Sequence, residues 1–459
     1  MKSLNYRKIT LNTMQKIALG FLAVILAGAI FLWLPISNQR PIAFVDALFT
    51  AVSAVCVTGL VTITPAAQFT AIGKGGLLVL IQIGGLGVIA CMVAFFLVIK
   101  KRITVKERVT IQQTYNLDTL TGLVQFIRRI LWGTFIVEGV GAFFYTFKFV
   151  PEMGFLKGVC YSIFHAVSSF CNAGIDILGG SSYMEYVTSP VINFTTMFLI
   201  VAGGLGFTVW YDVYKNIKCV MKEKQPARRM VTRLSLHTKI VLCMTAVLLF
   251  TGFLAFLVLE YRNPATMGNL NLGEKMLASG FQSVTVRTAG FATVSQSGLT
   301  AGSKLVGCIL MFVGGSPAGT AGGVKTTTVA MLLLTCVGVI KGKRDTECFG
   351  RRIAVSTVRS GIAIICLTFM FWLAGVVMIT VLEPGTDFLD IMYEVTSALG
   401  TVGLTPDLTP KLCRGSQAVL MVLMYAGRIG PVTMALVFAG RANTAAQLRD
   451  LPEKRIMLG

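Results

Sequence analysis

Apolar stretches recur from one end of the chain to the other, at residues 17–34, 77–99, 191–209, 240–259, 305–313 with 329–340, 362–382 and 418–438. About 20 apolar residues in a helix cross a hydrocarbon core of about 30 Å. The pattern therefore predicts an all-α, polytopic membrane protein. No polar stretch between spans is long enough for an enclosed soluble domain.

Within that pattern one layout repeats four times. An apolar span is followed by an amphipathic stretch of about a dozen residues, too short to cross a bilayer. A Gly-centred tripeptide comes next, then a second span that opens with glycines. The Gly-centred sites are Val57-Thr58-Gly59, Asn172-Ala173-Gly174, Thr288-Ala289-Gly290 and Thr401-Val402-Gly403. Their glycines are 115, 116 and 113 residues apart. The glycine-rich openings are Gly84-Gly85-Leu86-Gly87, Gly203-Gly204-Leu205-Gly206, Gly314-Gly315-Ser316 and Gly427-Arg428-Ile429-Gly430. Ser53, Ser168 and Ser397 stand six residues before their glycines, and Asp46 and Asp390 thirteen before theirs. Self-similarity at a fixed period marks a repeat architecture. The expected units are 1–115, 116–232, 233–348 and 349–459.

Each copy returns to its starting side, so all four share one orientation and can close around an axis normal to the membrane. The short stretches then enter as half-helices whose C-terminal ends, each near −0.5 charge, give roughly −2 at that axis. Irregular backbone at membrane depth survives only when buried or beside a watery cavity. Loop carbonyls there can replace an ion's hydration shell, and glycine admits the backbone angles this needs. A carboxylate ring is absent, which points to a monovalent cation at the four glycines. The expected fold is four tandem membrane helix–pore loop–membrane helix units with pseudo-four-fold symmetry.

The second span of the third copy is interrupted by Gly314-Gly315-Ser316-Pro317-Ala318-Gly319-Thr320-Ala321-Gly322-Gly323. Five glycines and a proline cannot make a good helix, so a loop within the membrane is expected. Lys325 follows that loop, and Arg428 stands where the other copies carry Gly85, Gly204 and Gly315. Intramembrane cations are costly and usually functional. Arg428 has two readings, a charge barrier below the filter or an anchor on loop carbonyls; Lys325 either belongs with the gate or snorkels to the cytoplasmic side.

Composition agrees: 54% of the 459 residues are hydrophobic and 13% charged, against about 25% charged in soluble domains. The net charge of +21 would admit nucleic acid, but its location argues otherwise. Of 41 Lys and Arg, 29 fall in residues 2–16, 100–129, 215–239, 341–359 and 441–455. The positive-inside rule puts those regions, and with them both termini, in the cytoplasm. The excess then reads as topology and contact with anionic membrane lipids, with no nucleic acid as partner. The first span is too long for a cleavable signal. Eleven cysteines lack metal-type spacing. The phosphate-loop spacing fails at Val324, and a G-x-G-x-x-A run at Gly85–Ala90 lies inside a span. His165 and His237 lie in different copies, and Glu138 is expected to pair with a neighbouring unit.

On the single-glycine sites and the glycine-rich second spans, the chain resembles the Trk/Ktr/HKT superfamily of K⁺ transporters, most closely its Ktr membrane subunit. The resemblance covers the whole chain. It implies K⁺ uptake across the cytoplasmic membrane through a single-glycine carbonyl filter, with Na⁺ as a candidate activator and no covalent cofactor. It implies a gate at 314–323 and a homodimer docked on a cytoplasmic ring of nucleotide-binding regulatory subunits. The apolar tail at 452–459 is a candidate dimer contact. No copy carries the T-V-G-Y-G of K⁺ channels, so a Na⁺-conducting or poorly selective monovalent cation channel stays open. Asn172 makes the second copy the outlier. A secondary carrier would show inverted repeats. An intramembrane enzyme would need a nucleophile–base pair or metal cluster, and the sequence offers neither.

Overall fold

A computed structural model describes residues 13–99, 122–223 and 232–430, with positions 104, 108, 112, 226, 433 and 434. The basic residues before 13 and after 440, the tail at 452–459 and both termini lie outside the described residues.

Each repeat opens on a long apolar helix: α1 (Thr13–Trp33), α5 (Leu123–Met153), α9 (Leu236–Glu260) and α13 (Val355–Leu382). All four are long and apolar enough to cross a membrane, and only a fifth to a third of each most apolar window is buried. Phe143, Phe250, Val258 and Val381 on these helices are all more than half exposed. Such an outward apolar face fits a lipid solvent.

Short helices follow: α2 (Phe44–Cys56), α6 (Phe155–Phe170), α10 (Leu272–Thr285) and α14 (Phe388–Gly400). Their last two turns are buried almost without exception, including Ser53, Ser168, Ser283 and Ser397. A full capping box at Asn271 and Glu274 starts α10, with both bonds at 3.0 Å.

The second spans begin with α3 (Ala71–Leu86), α7 (Pro190–Gly204), α11 (Ala301–Phe312) and α15 (Arg414–Ile429). Thr70 and Thr300 cap α3 and α11 through their hydroxyls. Their continuations are α4 (Val88–Val98), α8 (Phe207–Lys222) and α12 (Thr326–Ile340). The apolar pattern predicts an interruption only in the third copy. The structure breaks the first two as well, by 105° between α3 and α4 and 96° between α7 and α8. The hinge is the last glycine of each of these two openings: Gly87 and Gly206 sit at φ 84° and 91°, and Gly430 holds the same conformation at 96°, which side chains with a Cβ resist. A two-stranded hairpin, Glu347–Cys348 with Arg351–Arg352, leads into the fourth copy.

Packing closes the ring. Each long helix lies against its own short helix, and the first half of each second span lies against the short helix of the next repeat: α3 on α6, α7 on α10, α11 on α14, α15 on α2. Two ion pairs follow the same order. Lys304 of α11 meets Asp390 of α14 at 2.6 Å, and Arg414 of α15 meets Asp46 of α2 at 2.6 Å.

Candidate functional site

The C-terminal ends of the four short helices meet, and the chain leaving each one turns in the same way. Val57, Asn172, Thr288 and Thr401 are all left-handed, with φ 57°, 60°, 71° and 52°. Two residues on, Gly59, Gly174, Gly290 and Gly403 also have positive φ. A Cβ on Gly59 would lie 2.7 Å from the Ala173 carbonyl oxygen, one on Gly174 2.5 Å from that of Ala289, and one on Gly290 2.5 Å from that of Val402. On Gly403 it would strike the Thr58 oxygen. The middle residue of each tripeptide thus presents its carbonyl to the glycine of the preceding repeat, around a closed cycle. Nothing larger than glycine fits.

The hydroxyls five or six residues upstream serve this turn in two ways. Gly59 and Gly403 donate their N–H groups to Ser53 and Ser397 Oγ at 2.9 and 3.0 Å. Ser168 donates instead to the Ile175 carbonyl at 2.7 Å, and Thr285 does the same for Phe291 at 2.6 Å. The glycine-rich openings let the second spans approach: a Cβ on Gly84, Gly203 or Gly427 would strike the carbonyls of Val55, Phe170 or Leu399, each four residues before a ring glycine.

On one side of the ring a cavity of about 820 Å³ is lined by all four glycines and by Thr62, Asp176, Gln296 and Asp407. On the other side a cavity of about 260 Å³ is lined by Gly85, Gly87, Phe207, Ala318, Lys325 and Arg428. Between α11 and α12, residues 313–325 form no helix, and they cross this second side. At one end, a Cβ on Gly322 would strike the Thr401 side chain, and one on Gly314 the Gly322 carbonyl. At the other, Ser316 and Thr320 donate their N–H groups to Gly204 and Gly203 at 2.9 and 3.2 Å, and Phe207 donates to Ala318 at 2.9 Å. Thr320 Oγ1 reaches the Phe170 carbonyl at 3.1 Å, and Ser316 shares a 2.9 Å hydroxyl contact with Thr326. Gly315 accepts from the Thr326 N–H at 3.1 Å, Gly319 lies close to Gly206, and Gly323 stacks on Gly314. Pro317 presents its carbonyl where a Cβ on Gly206 would sit.

Among the described residues, three cations touch this segment. Arg428 donates one nitrogen to the Thr320 carbonyl and the other to those of Gly84 and Gly85, so its guanidinium ties the fourth repeat to the first and the third. Lys325 Nζ donates to Ala321 at 2.7 Å. Sequence reasoning singles out those two and misses Arg287, which stands just before Thr288, is 8% exposed, and reaches the Gly314 carbonyl at 3.4 Å. The available signal was its position against a ring tripeptide. The ion pairs at Asp46 and Asp390 were missed as partners too, although both acids share one offset.

His165 is buried among Tyr145, Phe149, Phe164 and Tyr183 and bonds the Tyr161 carbonyl at 2.8 Å, which makes it a packing residue. Glu138 accepts from Gln82 of the first repeat at 3.3 Å. Among the described residues no group of three His, Cys, Asp or Glu side chains is placed to hold a metal.

A model of the TrkH family, described as cation transport protein, matches residues 3–445. The chain is 38% identical to Ktr system potassium uptake protein B of Bacillus subtilis, over 93% of this chain and 92% of that protein. It is also 38% identical to potassium/sodium uptake protein NtpJ of Enterococcus hirae, over 98% of each. Identity to Ktr system potassium uptake protein B of Vibrio alginolyticus is 34%, over 96% of this chain and 94% of that protein. The fold matches the crystal structure of the potassium transporter TrkH from Vibrio parahaemolyticus, with a TM-score of 0.72 at 16% identity, over 94% of this chain and 86% of that one.

Proposed function

This chain belongs to the TrkH family of cation transport proteins, and on that footing we propose that it takes up K⁺ through the ring of carbonyls around Gly59, Gly174, Gly290 and Gly403. The observation that carries the reading is the cyclic contact of each ring glycine with the carbonyl of the next repeat. Four helix C-termini add roughly −2 of partial charge at the same place, and neutral oxygens suit a monovalent cation. Two relatives named for potassium uptake align over nearly the whole chain. Inward movement needs no chemical fuel, since one charge crossing 100 mV gains about 2.3 kcal/mol.

Residues 314–323, with Lys325 beside them, act as the gate. The loop lies across the inner side of the ring, and a segment rich in glycine can move at modest cost. Arg428 works as anchor and as charge barrier at once: its bonds hold the loop, and its charge faces the inner cavity. The units divide at 115, 232 and 348, both termini are cytoplasmic, and the protein sits in the cytoplasmic membrane as a homodimer. A cytoplasmic nucleotide-binding subunit moves the gate, and Na⁺ stimulates uptake. A second reading, in which Na⁺ is also carried, is favoured by the relative named for potassium and sodium uptake.

The test is Rb⁺ uptake into proteoliposomes holding the purified protein, with K⁺ and Na⁺ as competitors. Gly59→Ala and Gly290→Ala are expected to lower uptake at least about tenfold, because a side chain would displace a coordinating carbonyl. Folded variants that transport at the unmodified rate would overturn the carbonyl ring.

A further inference from the structure

The second repeat carries a groove that the ion path does not use. It lies between the start of α5 and α8 and encloses about 460 Å³. Along α5 its lining starts at Phe126, passes Arg128 and Arg129, and from them runs to Trp132 and then Ile136. At 1.5 Å per residue this passage from charge to hydrocarbon takes about 10 Å. Across the groove the Arg129 guanidinium lies 5.4 Å from the Tyr211 ring centre. Trp210 is fixed beside it by a 3.0 Å bond to the Ala202 carbonyl. Among the described residues, none lining the groove is acidic. The 96° bend turns α8 across the direction of α7. Its outward face carries Tyr214, Ile217 and Met221 with Lys215 and Lys218, the make-up of a helix lying in the membrane interface.

We infer that this groove is a binding site for one anionic glycerophospholipid. The phosphate sits on Arg128 and Arg129, where a guanidinium fork can hold two oxygens. The glycerol backbone lies at Trp132, and an acyl chain runs past Ile136. The graded lining matches the order of groups in such a lipid, and the absence of an acid among the described lining residues disfavours a choline headgroup. Phe207 lines both this groove and the inner ion-path cavity, and its N–H holds Ala318 in the 314–323 loop. A filled groove therefore braces Phe207 against that loop. This link rests on the gate reading, whereas the lipid site does not.

Trp132 and Trp210 report on occupancy directly. With Trp33→Phe and Trp372→Phe in place, their fluorescence is read in phosphatidylcholine vesicles doped with brominated phosphatidylglycerol or brominated phosphatidylcholine. Two guanidinium groups beside an anionic headgroup should give the glycerol lipid a preference of about tenfold or more. Arg128→Gln with Arg129→Gln should erase that preference and leave quenching by brominated phosphatidylcholine unchanged, which also reports an intact fold. Equal quenching by both lipids in the unsubstituted groove would overturn the site. Quenching by neither would overturn it too, and would assign the groove to a second copy or another protein. Selective quenching with identical Rb⁺ uptake in vesicles with and without phosphatidylglycerol would keep the site and remove its link to the gate.

Discussion

A β-branched residue in the left-handed region is a backbone outlier, yet Val57, Thr288 and Thr401 all adopt it at equivalent places. Each such residue costs on the order of 1–3 kcal/mol and persists only where its surroundings over-determine it. Here the short helix, the ring glycine and the neighbouring repeat do so. Asn172 is then the relaxed member of the set, since Asn tolerates this region. Asn172→Val should lower stability by about 1 kcal/mol, read as a drop in thermal midpoint in detergent, with the other three positions untouched. Arg428 offers a sharper separation of roles. Arg428→Ala should raise flux or relax selectivity. Arg428→Lys keeps the charge but not the planar fork: unmodified flux would assign the effect to charge, and alanine-like flux to the bridge between Thr320 and Gly84. The ring glycines were legible in the sequence because their period is fixed. The left-handed positions were not, because Val and Thr give no local sign of that geometry, and Asn172 looked like a departure when it is the comfortable case. Arg287 was illegible for a related reason: one charge at the end of a short helix reads as a solvated terminus until the chain folds over it.

At the scale of elements, the order of the spans was plain from hydropathy, but neither their direction nor the length of α5, whose run carries Arg128, Arg129, Glu138 and Lys148, was. The last glycine of a glycine-rich opening, Gly87 or Gly206, gives no sign of a bend while the apolar run continues past it. At Gly206 other backbone approaches, the Pro317 carbonyl occupying the place of a side chain, whereas Gly87 has open space around it and turns through its φ of 84° alone. Gly206→Ala should therefore displace the 314–323 segment as well as straighten its own span, and uptake should change with it. Deleting residues 317–321 removes the stretch that bonds the second repeat, and uptake should rise. A folded deletion with unchanged uptake would count against the gate.

Across the whole molecule, the ring closes through a bond between residues 368 positions apart, Arg414 with Asp46. Asp46 lies in the first turn of a short helix, and the Arg414 hydrogen bond is the largest influence holding its carboxyl below the ordinary value of 3.8. A depressed carboxyl adds stability that is present above its unfolded value and lost only as pH falls through the folded one. The stability difference between the protein and Arg414→Gln should accordingly be the same at pH 8 and pH 5. Arg414 is half exposed, so that difference should be about 1 kcal/mol or less. The four-fold plan was readable from the repeat, but which repeat touches which was not, because equal spacing leaves the cyclic order undetermined until the glycine–carbonyl contacts fix it. The four walls of the ring are also written in separate stretches of one gene, with Val, Asn, Thr and Thr at matching places. In an assembly of identical subunits one codon change alters every wall together. Here it alters one, so ion preference can drift in quarter steps, each open to selection by itself.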